Sequence, residues 1–244
     1  MKKILLLIII SLILTMLVSC TQERNTENES PEALNIETIA EEAISDSDDD
    51  SMVKVLFKFG QIESDHNDDL NFDVLIRGND FVIYESEVNK REEQYRLTGE
   101  ENGRELAISF LLKREALYSE ALRQGYNADD KEIRDLINLN IELSASASNY
   151  EEHLLPFLKG LGMTNEEYWE SQYDVLKKDL VISKYIQPQR EAFFELNQNR
   201  DSKDIYDDWT IYMQNLVDEL IEGQNLQFFE SAGDVGVGEA RREE

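Results

Sequence analysis

ELAISFLLKREALYSEALRQG, residues Glu105 to Gly125, is the stretch whose periodicity decides the fold. Leu106, Ile108, Phe110, Leu111, Leu112, Leu117, Ala121 and Leu122 recur at three- and four-residue steps, yet they cover more of the circumference than a single stripe would. A helix so apolar must be packed on more than one side, so it is expected at the centre of one helical domain. Arg104, Lys113, Arg114, Glu115, Glu120 and Arg123 are placed to solvate what is left, and Gly125 ends the helix with a residue that reaches positive φ cheaply.

Working back toward the N-terminus, Phe72 to Ile76 and Phe81 to Tyr84 flank Arg77-Gly78-Asn79-Asp80. Gly and Asn tolerate the dihedrals of a tight turn, so this reads as a short hairpin. Before it, Val53, Val55, Phe57 and Phe59 alternate with Lys54, Leu56 and Lys58, which predicts a further strand and a small sheet. Ser86 is the expected N-cap of a helix running to about Leu97, broken by Thr98-Gly99.

Toward the C-terminus, Asn127-Ala128-Asp129-Asp130 opens a helix carrying Ile133, Leu136, Ile137 and Ile141. A short helix over about Tyr150 to Leu161 stops at Gly160-Leu161-Gly162. Thr164-Asn165-Glu166-Glu167 has the capping-box pattern, and the helix it starts is expected to continue through Trp169, Tyr173, Leu176 and Leu180 toward Ile186. Tyr206, Trp209, Ile211, Tyr212, Leu216, Val217 and Leu220 define a last helix, and Asn225 to Phe229 an extended segment. The predicted class is mainly α, multi-helical, with a small β-hairpin or sheet at its start.

The ends of the chain bear on location. Lys2 and Lys3 precede an apolar run from Ile4 to Val18, closed by Leu17-Val18-Ser19-Cys20. Charge, apolar run, small residue and then the only cysteine form the order of a secretory signal. The quartet resembles the lipobox of bacterial lipoproteins, which implies cleavage before Cys20 and a lipid on that residue. The run is short of the roughly 20 residues a spanning helix wants. Thr21 to Ser51, with TQERNTENESPE and SDSDDDS, reads as an acidic tether that repels itself into extension. The expected organisation is therefore a signal peptide at 1–19, a tether at 20–51, a folded body at 52–229 and a charged, glycine-rich tail at 230–244.

Composition excludes several functions. The formal net charge is −28, and removal of Lys2 and Lys3 makes it more negative, so nucleic acid would be repelled. One cysteine allows neither an intrachain disulfide nor a cysteine zinc cluster. Counted from Asp46, the sixth residue of a calcium loop would be Ser51 instead of Gly and the twelfth Phe57 instead of Glu; the cluster Asp65 to Asp69 fails the same count. His66, in an acidic loop, and His153, beside an apolar helix face, have no acid–base partner spacing. No nucleophile elbow, zinc-binding His pair or phosphate loop occurs. Hence no catalytic residue, metal or cofactor is expected, and the chain reads as a non-enzyme.

VLIRGNDFVIYESEVNKR, the long helix ending EALRQGYNADDKEIRDLI, and FLKGLGMTNEEYWESQYDVLKKDLVISKYI together resemble the N-terminal chaperone domain of SurA and of PrsA-type foldase lipoproteins, over roughly Val74 to Ile186. The resemblance implies assistance to the folding of secreted polypeptides outside the cytoplasmic membrane, and a late helix and strand that return to the N-terminal elements. In that family a parvulin prolyl isomerase domain follows the helical part. Gln187 to Asp204 is too short to hold one, since chains below roughly 40 residues rarely fold alone. Phe193, Phe194, Tyr206, Trp209 and Tyr212 are the candidates for a client-facing surface, although aromatic residues at helical spacing also build cores. The expected partners are unfolded or secreted polypeptides, and the membrane through the lipid on Cys20. The alternative is a lipoprotein scaffold that docks one dedicated envelope or secretion partner, and a homodimer made by helix exchange is a state such an open fold allows.

Overall fold

The computed structural model describes residues 51–67 and 73–229. The lipobox residues Leu17, Val18 and Ser19, the lipid-attachment candidate Cys20, nearly all of the tether and the tail fall outside the described residues. Helix α1 (Ser51–Asn67) leads to strands β1 (Val74–Arg77) and β2 (Val82–Tyr84), then α2 (Glu85–Leu97), α3 (Gly103–Arg123) and α4 (Asp130–Ala145). A π-helical turn (Tyr150–Leu154), α5 (Leu155–Leu161), α6 (Asn165–Ser171), α7 (Tyr173–Leu196), α8 (Ser202–Glu222) and β3 (Gln227–Phe228) complete the chain. The class is mainly α with a small sheet, as the sequence predicts.

The spine is α3. Its first half puts Ala107, Leu111, Leu112 and Ala116 into a core shared with Leu75, Ile76, Phe81, Ile83 and Val88. Its end puts Ala121 into a second core with Ile133, Ile137, Trp169, Leu176, Val181 and Tyr185. One helix serving two cores is why its apolar residues spread so far round the axis. Two charged contacts lock α7 along it, Arg114 with Asp179 at 2.9 Å and Lys178 with the buried Glu115 at 2.5 Å.

The sheet order is β2-β1-β3, antiparallel throughout, with Ile76 opposite Ile83 on one side and Phe228 on the other. A bulge between Val74 and Ile76 lets Leu75 and Ile76 both face the core, where strict alternation would bury only one. β3 thus joins the early hairpin, the return that the resemblance implies. Gln224 fastens it there. Its backbone carbonyl accepts from Asn79 N–H at 2.9 Å, its Oε1 accepts from Asp80 N–H at 3.0 Å, and its Nε2 donates to Asp80 Oδ2 at 3.0 Å.

Three local expectations need correction. Residues 53–59 are helical. Lys54, Lys58, Gln61 and Asp65 are all exposed, a polar stripe at helical spacing, and Gly60 is buried opposite it, so tertiary packing overrides the β-propensity of Val and Phe. This also places His66 on a helix, 3.5 Å from Glu93, instead of in a loop. Helix α2 begins at Glu85 with Tyr84 as its cap residue, and Glu87 accepts the Tyr84 N–H at 2.9 Å, so Ser86 does not cap it. The helix expected from Thr164 to Ile186 is two helices meeting at Gln172. Trp169 Nε1 donates to Ser144 Oγ of α4 at 3.1 Å, whereas α7 is tied to α3, and no straight helix satisfies both.

The capping box expected at Thr164 forms, and the helix entry expected at Asn127 to Asp130 is a second one, centred on Asp129. Asp129 accepts from Glu132 N–H at 2.9 Å, and Thr164 Oγ1 from Glu167 N–H at 3.2 Å. Carboxyls held this way carry a pH signature. The hydrogen bond from Arg123 holds Glu120 below the usual carboxylate range, Lys184 does the same for Glu132, and the Thr164 backbone for Glu167. A carboxylate whose folded pKa is depressed contributes its full stabilisation above the unfolded value of 4.5 and loses it as pH falls through the folded value. The urea midpoint is expected to fall on acidification below that value, and Glu120→Gln to flatten the fall. An unchanged slope in the variant would remove Glu120 from this account.

Candidate functional site

Helix α7 does not stop at Ile186. It continues through Pro188 to Leu196, although Pro188 cannot donate to the Lys184 carbonyl. One residue on, the side chain of Gln189 donates to the Tyr185 carbonyl at 2.9 Å. A turn over 197–201 leads into α8, whose Asp201 caps it by accepting the Lys203 N–H at 2.9 Å. The outer halves of α7 and α8 thereby form a helical arm, and all five aromatic candidates lie on it.

The structure brings the five together. Phe193 packs on Trp209 with ring centres 5.4 Å apart and on Tyr212 at 5.8 Å. Phe194 meets Tyr206 edge-on at 4.9 Å. Trp209 and Tyr212 stack at 5.3 Å with planes 25° apart, and the Tyr212 hydroxyl donates to Gln189 Oε1 at 3.0 Å. Edge-on and offset arrangements of this kind are the favourable ones for aromatic quadrupoles.

These rings belong to neither buried core. Tyr206 is 50% exposed and Tyr212 39%, while Phe193, Phe194 and Trp209 are half-buried against one another. Sequence reasoning missed one neighbour, Leu196, which is 84% exposed. Leu196 stands three residues after Phe193 on the same helix, a spacing that could have found it. The arm is also rimmed with acids: Glu191, Glu195, Asp201, Asp204 and Asp207 are exposed. Asp208 is taken by Arg200 at 2.6 Å, and Arg190 lies over the Phe194 ring at 5.5 Å. An apolar aromatic strip inside an acidic rim can desolvate an apolar segment and attract basic residues flanking it.

Other features are less suited to a peptide. A cleft of about 300 Å³ beside the hairpin turn is lined by Asp80, Ser119, Glu120, Arg123, Glu219 and Gln224; Glu120 is paired with Arg123 and Asp80 is hydrogen-bonded to Gln224. Among the described residues, no group of three or more His, Cys, Asp or Glu could hold a metal, and no helix is long and apolar enough to cross a membrane. His153 sits on the π-helical turn with its Nδ1 buried and without a hydrogen-bond partner.

No known family profile matches the chain, no curated protein matches its sequence, and no solved structure matches its fold.

Proposed function

We propose that this is a chaperone-like lipoprotein, anchored by a lipid on Cys20 to the extracytoplasmic face of the cell membrane, that holds unfolded secreted polypeptides without isomerising them. The observation that carries this reading is the exposed aromatic arm of α7 and α8: monomeric proteins rarely leave such a strip in water unless it meets something. The return of β3 to the hairpin agrees with the SurA- and PrsA-type arrangement, and the acidic rim favours clients with basic residues beside apolar ones.

A second reading has its own support. The stack of Trp209 on Tyr212 and the hydrogen bond from Tyr212 to Gln189 fix the strip in one shape, which suits docking of a single envelope or secretion partner better than adaptation to many. Site-specific photocrosslinking separates the two. With a photoreactive phenylalanine at position 206 or 212, several chemically unrelated unfolded clients are expected to crosslink, while the same group at Leu139, exposed on α4, stays silent. Crosslinks to one envelope protein alone would favour the docking reading, and equal labelling from position 139 would dismiss the arm as the site.

A further inference from the structure

Arg190 has no acid to pair with at helical spacing. The residues three and four positions away on α7 are Ile186, Gln187, Phe193 and Phe194. The adjacent Glu191 accepts from Gln187 Nε2 at 2.9 Å, and on α8 Asp208 is taken by Arg200. Among the described residues Arg190 makes no hydrogen bond or ion pair; it is exposed, and its guanidinium lies over the Phe194 ring at 5.5 Å. Arg104, Arg114 and Arg123, by contrast, each meet a carboxylate.

The ring beneath it is held in place by its neighbours. Phe194 is half-buried, with Tyr206 edge-on at 4.9 Å, Phe193 at 6.2 Å and Trp209 at 6.3 Å. Exposed carboxylates stand close in the chain: Glu195 follows Phe194, and Asp204 and Asp207 flank Tyr206. A fixed aromatic face inside a field of carboxylates is the chemistry that takes a guanidinium or an ammonium: the acids draw the cation in, and the ring quadrupole receives it. Arg190 itself demonstrates the fit. Its stem is flexible and bound by no polar contact, so leaving the ring costs it only the ring contact, which at an exposed site is worth about a two- to fivefold change in population.

We propose that the Phe194 ring is a subsite for a basic side chain of the client, and that Arg190 occupies it as a built-in competitor which sets how strongly the arm prefers basic clients. This rests on the reading of the arm as the client-holding surface, and it locates within that surface the part that takes charge. The ligand is a polypeptide segment with an arginine or lysine beside an apolar residue. The apolar residue meets the exposed Tyr206 and Leu196, and the cation displaces Arg190 from Phe194. The charge of Arg190 also repels an incoming cation at separations shorter than the screening length. Arg190 is thus a specificity-determining residue that holds the preference for basic clients below what the ring and the rim alone would give.

The test titrates the full chain and its variants into two fluorescent peptides, read by anisotropy at moderate salt. The peptides differ in one residue, an arginine or its uncharged isostere citrulline set between leucines. Arg190→Gln, at an exposed position with no polar bond to lose, is expected to tighten the arginine peptide at least about threefold and the citrulline peptide less than about twofold. Adding Phe194→Leu, which keeps apolar bulk and removes the ring, is expected to erase the gain. Lys203→Gln removes the same charge from the exposed first turn of α8 and is expected to leave both peptides within about twofold. An equal gain from Lys203→Gln would reduce the effect to general charge and overturn the subsite. A gain that survives Phe194→Leu, or an arginine-to-citrulline ratio that Arg190→Gln leaves unchanged, would overturn it too. In those cases the peptides still bind and the client-holding reading stands; an unaltered chain that binds neither peptide would count against both.

Discussion

Replacing Tyr206 and Tyr212 together with serine is expected to weaken the suppression of client aggregation by about 30-fold or more, at nearly unchanged thermal stability. Aromatic anchors at binding surfaces commonly contribute about 2 kcal/mol each, and every 1.4 kcal/mol is about a tenfold change in affinity. Both tyrosines are exposed, at 50% and 39%, and neither is in a buried core, so the folded state loses little when they are truncated. Exposed substitutions usually stay within about 0.5 kcal/mol. Tyr212 also gives up its bond to Gln189 and its stack on Trp209, which loosens the arm without touching α3. Titration of the variant into an aggregating client, beside a thermal melt, checks both halves. Suppression at the original protein ratio would place client binding elsewhere.

Ile76→Ala is expected to do the reverse. Ile76 is fully buried at the middle of β1, with Ile83 and Phe228 opposite it on the two sides. Its truncation removes apolar contacts and leaves a cavity that the sheet, pinned by the Gln224 contacts, cannot easily close. The cost is about 3 kcal/mol, which for a domain of this size corresponds to a fall in Tm of about 6 to 12 °C. Well below that lower Tm, client suppression should persist, because the arm is untouched. A shift of only a degree or two would mean that the sheet is not a keystone of the first core.

How much of this was legible in the sequence follows from how local each signal is. The spine helix was readable because Leu106 to Leu122 carry their apolar pattern in one window, and the Thr164–Glu167 box because both partners of its bonds lie within one turn; at Asp129 the helix entry was readable, but the reach of Glu132 back to it was not read. The hairpin was readable from Gly78-Asn79. Residues 53–59 misled because seven residues of Val-Lys-Val-Leu-Phe-Lys-Phe fit a strand; only a window reaching Gln61 and Asp65 shows the helical polar stripe. A Cβ at Gly60 would overlap the Phe157 carbonyl oxygen, a neighbour far along the chain that no local pattern contains. The aromatic residues were visible as helical stripes, but the same stripes describe a core. Their exposure arises from the extension of α7 past Pro188, which places Phe193 and Phe194 beyond both cores.

The central claim, that the arm holds unfolded chains, is tested most directly with soluble protein starting at Thr21. It would be titrated into several chemically unrelated unfolded clients while light scattering records their aggregation. The account predicts suppression across these clients at near-stoichiometric ratios, persisting at moderate salt because the aromatic strip, more than the acidic rim, supplies the affinity. Undiminished aggregation of every client at a several-fold excess of the protein would contradict it.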